Sequence, residues 1–310
     1  MKNILLCIFL LLNFLLGDNS QGAQKNAKKT MAEFSWYNPP EQWTLKDLPK
    51  SLKHASFESP SMNIEVGYYI YLPDRYNQTI NQKRRYPVVY HLHGGRPGSE
   101  KKSISLAPMI DHAMKRGDIQ DTIYIFPNGG PMSWYNYPQK KNGMGEDIFI
   151  QELIPHIDKT YRTIASRQKR ALQGFSQGGR GTTRIMFKHA RLFSSFAPGG
   201  SGYEPEERIR DNDGSESANI RFSKGNDAWT LAKNFAAKKK TYPIKPLIWV
   251  GTKGFNYEYN LKYIKYLDSL GIPYEKLIVP DVPHSAKIFF QKSGLKLMQF
   301  HNQNFGKLNP

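Results

Sequence analysis

The sequence is poorest in cysteine: Cys7 is the only one in 310 residues. It lies inside an apolar run near the start, so everything after that run lacks a thiol. Disulfides, thiolate nucleophiles and cysteine metal sites are excluded together. Acidic residues are also scarce, 26 Asp and Glu against 44 Lys and Arg, for a formal charge of +18. Such an excess draws a protein toward anionic polymers, acidic polysaccharide among them, or toward membrane surfaces. No Arg/Lys stripe is interleaved with aromatics and no nucleic-acid motif is present, so nucleic acid is not an expected partner. Runs such as "KNAKK" (25–29) and "KKK" (238–240) read as solvated faces or a mobile tail. Internal repeats and low-complexity blocks are absent.

The apolar run Ile4–Leu16 follows one basic residue and precedes the small residues Ser20, Gly22 and Ala23. It is too short and wrongly flanked for a spanning helix and has the pattern of a secretory signal peptide over residues 1–23, cut near Gly22 or Ala23. The expectation is a secreted or periplasmic protein without a stable membrane anchor. Cys7 is not beside the cleavage region, which argues against a lipid-anchored lipoprotein. Residues 24–60, polar and carrying Pro39, Pro40 and Pro60, read as a linker and entry arm. Residues 61–310 are expected to form one domain, with the patternless stretch 201–228 an insertion and a candidate lid.

Short apolar runs then recur: "IEVGYYIYLP" (64–73), "YPVVYHLHGG" (86–95), "TIYIFPNGG" (122–130), "RALQGFS" (170–176), "FSSFAPGG" (193–200), "KPLIWVGT" (245–252) and "YEKLIVPDV" (274–282). Runs without alternation indicate strands buried on both faces, as in a parallel sheet. Helical periods lie between them. Residues 146–162 place Ile148, Ile150, Leu153, Ile154 and Ile157 largely on one side. Residues 260–271 space Leu261, Ile264, Leu267 and Leu270 by three, before a helix-ending Gly271. The alternation predicts an α/β fold, a mostly parallel central sheet with helices on both faces.

"GFSQG" (174–178) spans the step from one such strand to a helix. Alone, G-x-S-x-G is a weak signal, since about one chain in ten of this length carries it by chance. Its context supplies the chemistry. A sharp strand-to-helix turn needs small residues two positions either side of Ser176, lifts Oγ above the sheet and sets a helix N-terminus behind it. Of the eight histidines, His284 follows the last strand, at the sheet end where such folds hold catalytic groups. It is the candidate base. His93 opens "HGG" and reads as part of an oxyanion loop; His91, His156 and His189 read as structural. Donors for a tetrahedral oxyanion are expected from the backbone N–H of Gln177 and from Gly95 or Arg96. Trp134, Tyr135 and Trp229 are candidate substrate-stacking residues, with ordinary packing the competing reading. Arg180 reads as an ion-paired residue.

The segments "VVYHLHGG", "FPNGG", "SWY", "EDIFIQELIPHIDKTYR", "ALQGFSQGG" and "IPYEKLIVPDVPHS" together resemble the esterase D family of α/β-hydrolases, over roughly residues 60–300. That family includes feruloyl and acetyl-xylan esterases, S-formylglutathione hydrolase and the mycolyltransferases. The resemblance implies an α/β-hydrolase fold and a serine carboxylesterase acting through an acyl-enzyme. It implies Ser176 as nucleophile and His284 as base, with no metal or organic cofactor. With an exported chain, it points to acetyl or feruloyl esters of polysaccharide as substrates. One departure stands out: Gly254, in "GTKGFNYEYN" (251–260), occupies the place where the family carries its aspartate. Glu258 is the favoured substitute, Glu204 is a second, and a site without an acid is the third reading; Asp281 reads as a turn residue. An acyltransferase and a catalytically weak or inactive binding protein are the rival functions.

Overall fold

The computed structural model describes residues 34–40, 48–203, 222–238 and 242–306. The signal segment, Glu204 and most of the 201–228 insertion lie outside them. From Ser35 on, the described residues belong to one compact unit, Ser35–Pro310.

Eight strands form one sheet: β1 (Leu52–Ser59), β2 (Ile64–Tyr71), β3 (Val88–Leu92), β4 (Ile123–Pro127), β5 (Arg170–Phe175), β6 (Ser195–Gly199), β7 (Leu247–Lys253) and β8 (Glu275–Pro283). Their order is β1-β2-β4-β3-β5-β6-β7-β8. From β4 to β8 all neighbours are parallel; β1 and β2 join antiparallel at one edge. Every residue of β3, β4 and β6 is buried, the physical origin of the unbroken apolar runs. The segment 24–60, expected to be a linker and arm, contains the edge strand β1. An edge strand is half exposed, and β1 has only three buried residues in eight, so it carries no apolar run to betray it.

The helices are α1 (Ala107–Lys115), α2 (Gly145–Asp147), α3 (Ile154–Thr160), α4 (Gln177–Lys188), α5 (Ala228–Ala236), α6 (Tyr257–Ser269) and α7 (Ala286–Phe305), with a π-turn, Ile148–Leu153, joining α2 to α3. Among the described residues, no helix is long and apolar enough to cross a membrane. Helices α1 and α7 pack on the sheet face that carries Val89, Ala171, Ala197 and Trp249. Tyr90 and Phe196 point to the opposite face, where Phe149 and Phe193 close over them. Gly271 ends α6 at φ +63°, the left-handed conformation anticipated for it.

One buried ionic cluster ties α4 to the chain before it. Arg184 Nη2 donates to Glu146 Oε2 at 2.9 Å and Nη1 to Trp134 O at 3.0 Å. Nε donates to Asn226 O at 2.8 Å, and the guanidinium lies 3.6 Å from the centre of the Tyr135 ring. Lys188 and His189 complete the shell of Glu146. Burial would push the Glu146 carboxyl up, but the His189 hydrogen bond and the Arg184 and Lys188 charges overcome it and hold it at about 2. A depressed folded pKa gives stability that is complete above the unfolded value of about 4.5 and is lost as pH falls toward 2. Glu146→Gln strands a buried guanidinium, so it is expected to cost about 3 kcal/mol at neutral pH. It should also flatten the fall in stability between pH 4.5 and 2, which urea titrations at several pH values would measure. An unchanged acid limb would show that Glu146 does not carry it.

Candidate active site

The β5–α4 turn is built as the small residues require. A Cβ on Gly174 would lie 2.3 Å from Gly178 O, and one on Gly178 would lie 2.0 Å from Leu92 O. Neither position accepts a side chain. Between them Ser176 adopts φ 58°, ψ −116°, a conformation costly for any residue with a Cβ. Its N–H donates to Gly199 O at 2.9 Å and its carbonyl accepts from Arg180 N at 3.0 Å. The serine therefore leaves the strand sharply, with α4 starting at the next residue.

His284 lies between β8 and α7, and its Nε2 is 3.0 Å from Ser176 Oγ. With the hydroxyl donating, this is the geometry of a nucleophile and its general base. The imidazole lies between the rings of Phe175, 4.6 Å away, and Phe255, 4.3 Å away, and its Nδ1 is shielded from solvent. Two residues 108 positions apart are thus brought together as the sequence implied.

The "HGG" loop lies against the nucleophile: a Cβ on Gly94 would come within 3.0 Å of Ser176 Cβ. Gly95 has φ +69°, and its carbonyl accepts from Ser133 Oγ at 2.7 Å. His93 is buried, and burial pushes its pKa down to about 3, so the ring is neutral. Its Nε2 accepts the Gly129 N–H at 3.0 Å, which leaves Nδ1 to donate to Gly94 O at 3.1 Å. His93 is therefore a brace of this loop. Gln177 opens α4 beside Ser176, with its N–H in the outward-pointing first turn. His91 and His156 are structural, as expected. His91 bonds Gln173 inside the sheet, and His156 bonds the Tyr68 hydroxyl. His189 caps the end of α4 and bonds Glu146.

Of the two readings of Trp134, Tyr135 and Trp229, stacking on substrate or ordinary packing, the positions agree with packing, since none of them lines the catalytic pocket. Trp134 is fully buried and donates from Nε1 to His93 O at 3.0 Å. Tyr135 is buried under the Arg184 guanidinium. Trp229 packs on Tyr263 and Tyr266 of α6. Their aromatic area is used in packing against neighbouring side chains.

Glu258 does not serve His284. It stands in the first turn of α6, its side chain turned toward solvent, and makes no hydrogen bond or ion pair with the described residues. Helix α6 begins at Tyr257, and an acid in its first turn complements the helix dipole. Asp281 is also exposed and pairs at 3.8 Å with Lys253. Gly254 itself is well placed: a Cβ there would sit 3.8 Å from the backbone nitrogen of His284.

A cavity of about 540 Å3 opens over Ser176 and His284. Phe255, Lys102 and Lys287 line it, none of them singled out by sequence reasoning. Phe255 is 63% exposed, a large apolar side chain at the pocket. Its position next to Gly254 was the one available signal.

The model of the Esterase family matches residues 59–252. Esterase MT1326 of Mycobacterium tuberculosis is 29% identical over 164 residues, 52% of this chain and 34% of that protein. An endo-1,4-beta-xylanase/feruloyl esterase of Xylanibacter ruminicola is 28% identical over 163 residues, 51% of this chain and 22% of that protein. The chain spans about a third or less of the length of these curated relatives. A solved ferulic acid esterase superposes with a TM-score of 0.68 at 22% identity, over 82% of this chain and 98% of that one. The fold is that of the α/β-hydrolases.

Proposed function

The chain belongs to the Esterase family, and on that premise we propose that it is a serine carboxylesterase that removes acyl groups, acetyl or feruloyl in type, from polysaccharide outside the cell. The observation that carries the reaction is the 3.0 Å approach of Ser176 Oγ to His284 Nε2 beneath the glycine loop. Ser176 Oγ attacks the ester carbonyl carbon while its proton passes to His284 Nε2. The carbonyl oxygen becomes an oxyanion, for which the N–H groups of Gln177 and of Gly95 or Arg96 are the proposed donors. The imidazolium returns the proton to the departing alcohol oxygen, leaving an acyl-enzyme on Ser176. Water, deprotonated by the same imidazole, then releases the acid.

The polysaccharide part of the reading draws support from the relative whose name joins xylanase to feruloyl esterase, and from the signal-like segment 1–23. The charge of +18 adds a long-range attraction to acidic glycans. Labelling by a fluorophosphonate, mapped by mass spectrometry to Ser176, tests the nucleophile without knowledge of the substrate; an unlabelled Ser176 would remove the enzymatic reading. Activity on a soluble acetylated polyanion is expected to weaken as salt shortens the screening length to about 8 Å near 0.15 M, while activity on small neutral esters holds. Equal salt response for both would exclude a role for the surface charge.

A further inference from the structure

The cavity over Ser176 and His284 is lined by two lysines and, among the described residues, by no carboxylate. Several other basic groups among the described residues have carboxylate partners: Arg184 and Lys188 pair with Glu146, Arg170 with Asp158 and Lys115 with Asp111. Among the described residues, Lys102 and Lys287 have no such carboxylate partner.

Lys102 is anchored on the glycine loop itself. Its Nζ donates to Pro97 O at 2.6 Å and approaches Gly94 O at 3.5 Å. A Cβ on Gly95 would lie 3.3 Å from that nitrogen. An ammonium has three donors, so one remains for a ligand in the pocket it lines. Its pKa is lowered, first by desolvation and then by the charge of Arg96. Both effects penalise a positive charge held here, and an arriving anion would offset both. Lys287 stands in the first turn of α7, three residues beyond His284, and adds a second positive charge to the same rim.

We propose that Lys102, assisted by Lys287, determines specificity by selecting esters that carry a carboxylate or sulfate close to the scissile bond. The inference rests on the esterase reading of this site and narrows it from any short ester to an anionic one. It is separate from the diffuse surface charge, because an ammonium bonded to the loop beside Ser176 discriminates between substrates already in the pocket, not between polymers at a distance. The anion could belong to the acyl chain or to the alcohol, and the two sources call for different probes.

The test measures kcat/KM for two matched pairs: 4-nitrophenyl hydrogen adipate against 4-nitrophenyl hexanoate, and 4-acetoxybenzoate against 4-acetoxybenzamide. The parent protein is expected to prefer the anionic member of one pair, and the pair concerned identifies the side of the ester that bears the charge. In Lys102→Gln the anionic-to-neutral ratio is expected to fall about tenfold, the usual worth of one hydrogen bond to a charged group. Lys102→Arg should keep most of the ratio, and Lys287→Gln should lower it by less. No preference in either pair, or a Lys102→Gln protein that loses both members of a pair equally, would overturn the proposal and leave Lys102 as a strut of the loop. Absence of turnover on every ester together with absence of fluorophosphonate labelling would instead defeat the esterase reading, and this inference with it.

Discussion

In a Ser176→Ala protein, hydrolysis of 4-nitrophenyl acetate falls to background and fluorophosphonate no longer labels the chain, while the fold persists. The side chain has little packing to lose, because its polar partner is His284 and its backbone is held through Gly199 O and Arg180 N. Alanine keeps the Cβ, so it keeps the backbone strain at φ 58° as well. Ser176→Gly relieves it and is expected to melt higher than Ser176→Ala by the equivalent of about 1 kcal/mol. The size of the activity loss is itself informative. Removing the nucleophile of an intact triad costs about 10⁶-fold, but about 10²-fold where the acid is already missing, because the three members act as one unit. His284→Ala should match Ser176→Ala, and the double variant should be no worse than either. Multiplicative losses, or residual activity of Ser176→Ala with the label moved to another residue, would break the pairing.

Gly254→Asp separates the two readings of His284: a site without an acid gains about tenfold or more in kcat, out of the roughly 10⁴-fold that a triad aspartate is worth, whereas an imidazole that already has its carboxylate gains nothing. The new Cβ has room: its nearest neighbours are Asn256 Oδ1 and Gly251 O, each at 3.2 Å, with His284 N at 3.8 Å. Those contacts are tight enough to require a shift of a few tenths of an ångström. Gly254 has an ordinary backbone conformation, so a side chain adds no strain of its own. The opposing effect is electrostatic. Two carbonyl-type oxygens face the new carboxylate, and Asn256, whose Nδ2 is bonded to Gly200 O, cannot turn its amide without giving up that bond. The imidazolium formed in each turnover outweighs them, since it carries a full opposite charge. Glu258→Gln, by contrast, should leave kcat unchanged. An inactive Glu258→Gln would restore Glu258 to the mechanism, and a Gly254→Asp protein without gain would show that the imidazole is already oriented by another group.

How much was legible in the sequence depends on how strongly burial constrains composition. Strands β3, β4 and β6 are buried on both faces, which favours apolar residues throughout, so they stood out. The nucleophile turn was legible because sterics at Gly174 and Gly178 admit one residue type. His284 was legible because the last strand of such a sheet ends where the first donors are. Strand β1 was not, since a half-exposed edge accepts almost any residue. Nor were the roles of Trp134 and Tyr135: a loop aromatic looks the same in sequence whether it meets a sugar or a guanidinium, and here Arg184, fifty residues beyond Trp134, takes the ring of Tyr135 and the carbonyl of Trp134. Glu258 was misplaced because α6 begins at Tyr257 and holds that carboxylate in its first turn with the side chain exposed. The lysines of the pocket were invisible among 44 basic residues until the fold placed two of them beside Ser176.

The Arg184 cluster and the side chains that line the pocket differ in what a substitution would disturb. One guanidinium joins the helix behind the nucleophile, the Trp134 loop and the segment before α5, and Trp134 in turn grips His93 of the glycine loop. A substitution in that cluster therefore reaches both α4, which follows the nucleophile, and the glycine loop. Phe255, Lys102 and Lys287 line the pocket with side chains that are exposed and lie outside the core. Divergence within this lineage, or a laboratory library, can therefore rewrite which esters are accepted, most freely at Phe255 and Lys287, whereas an exchange of Lys102, bonded to Pro97 O, also reaches the glycine loop.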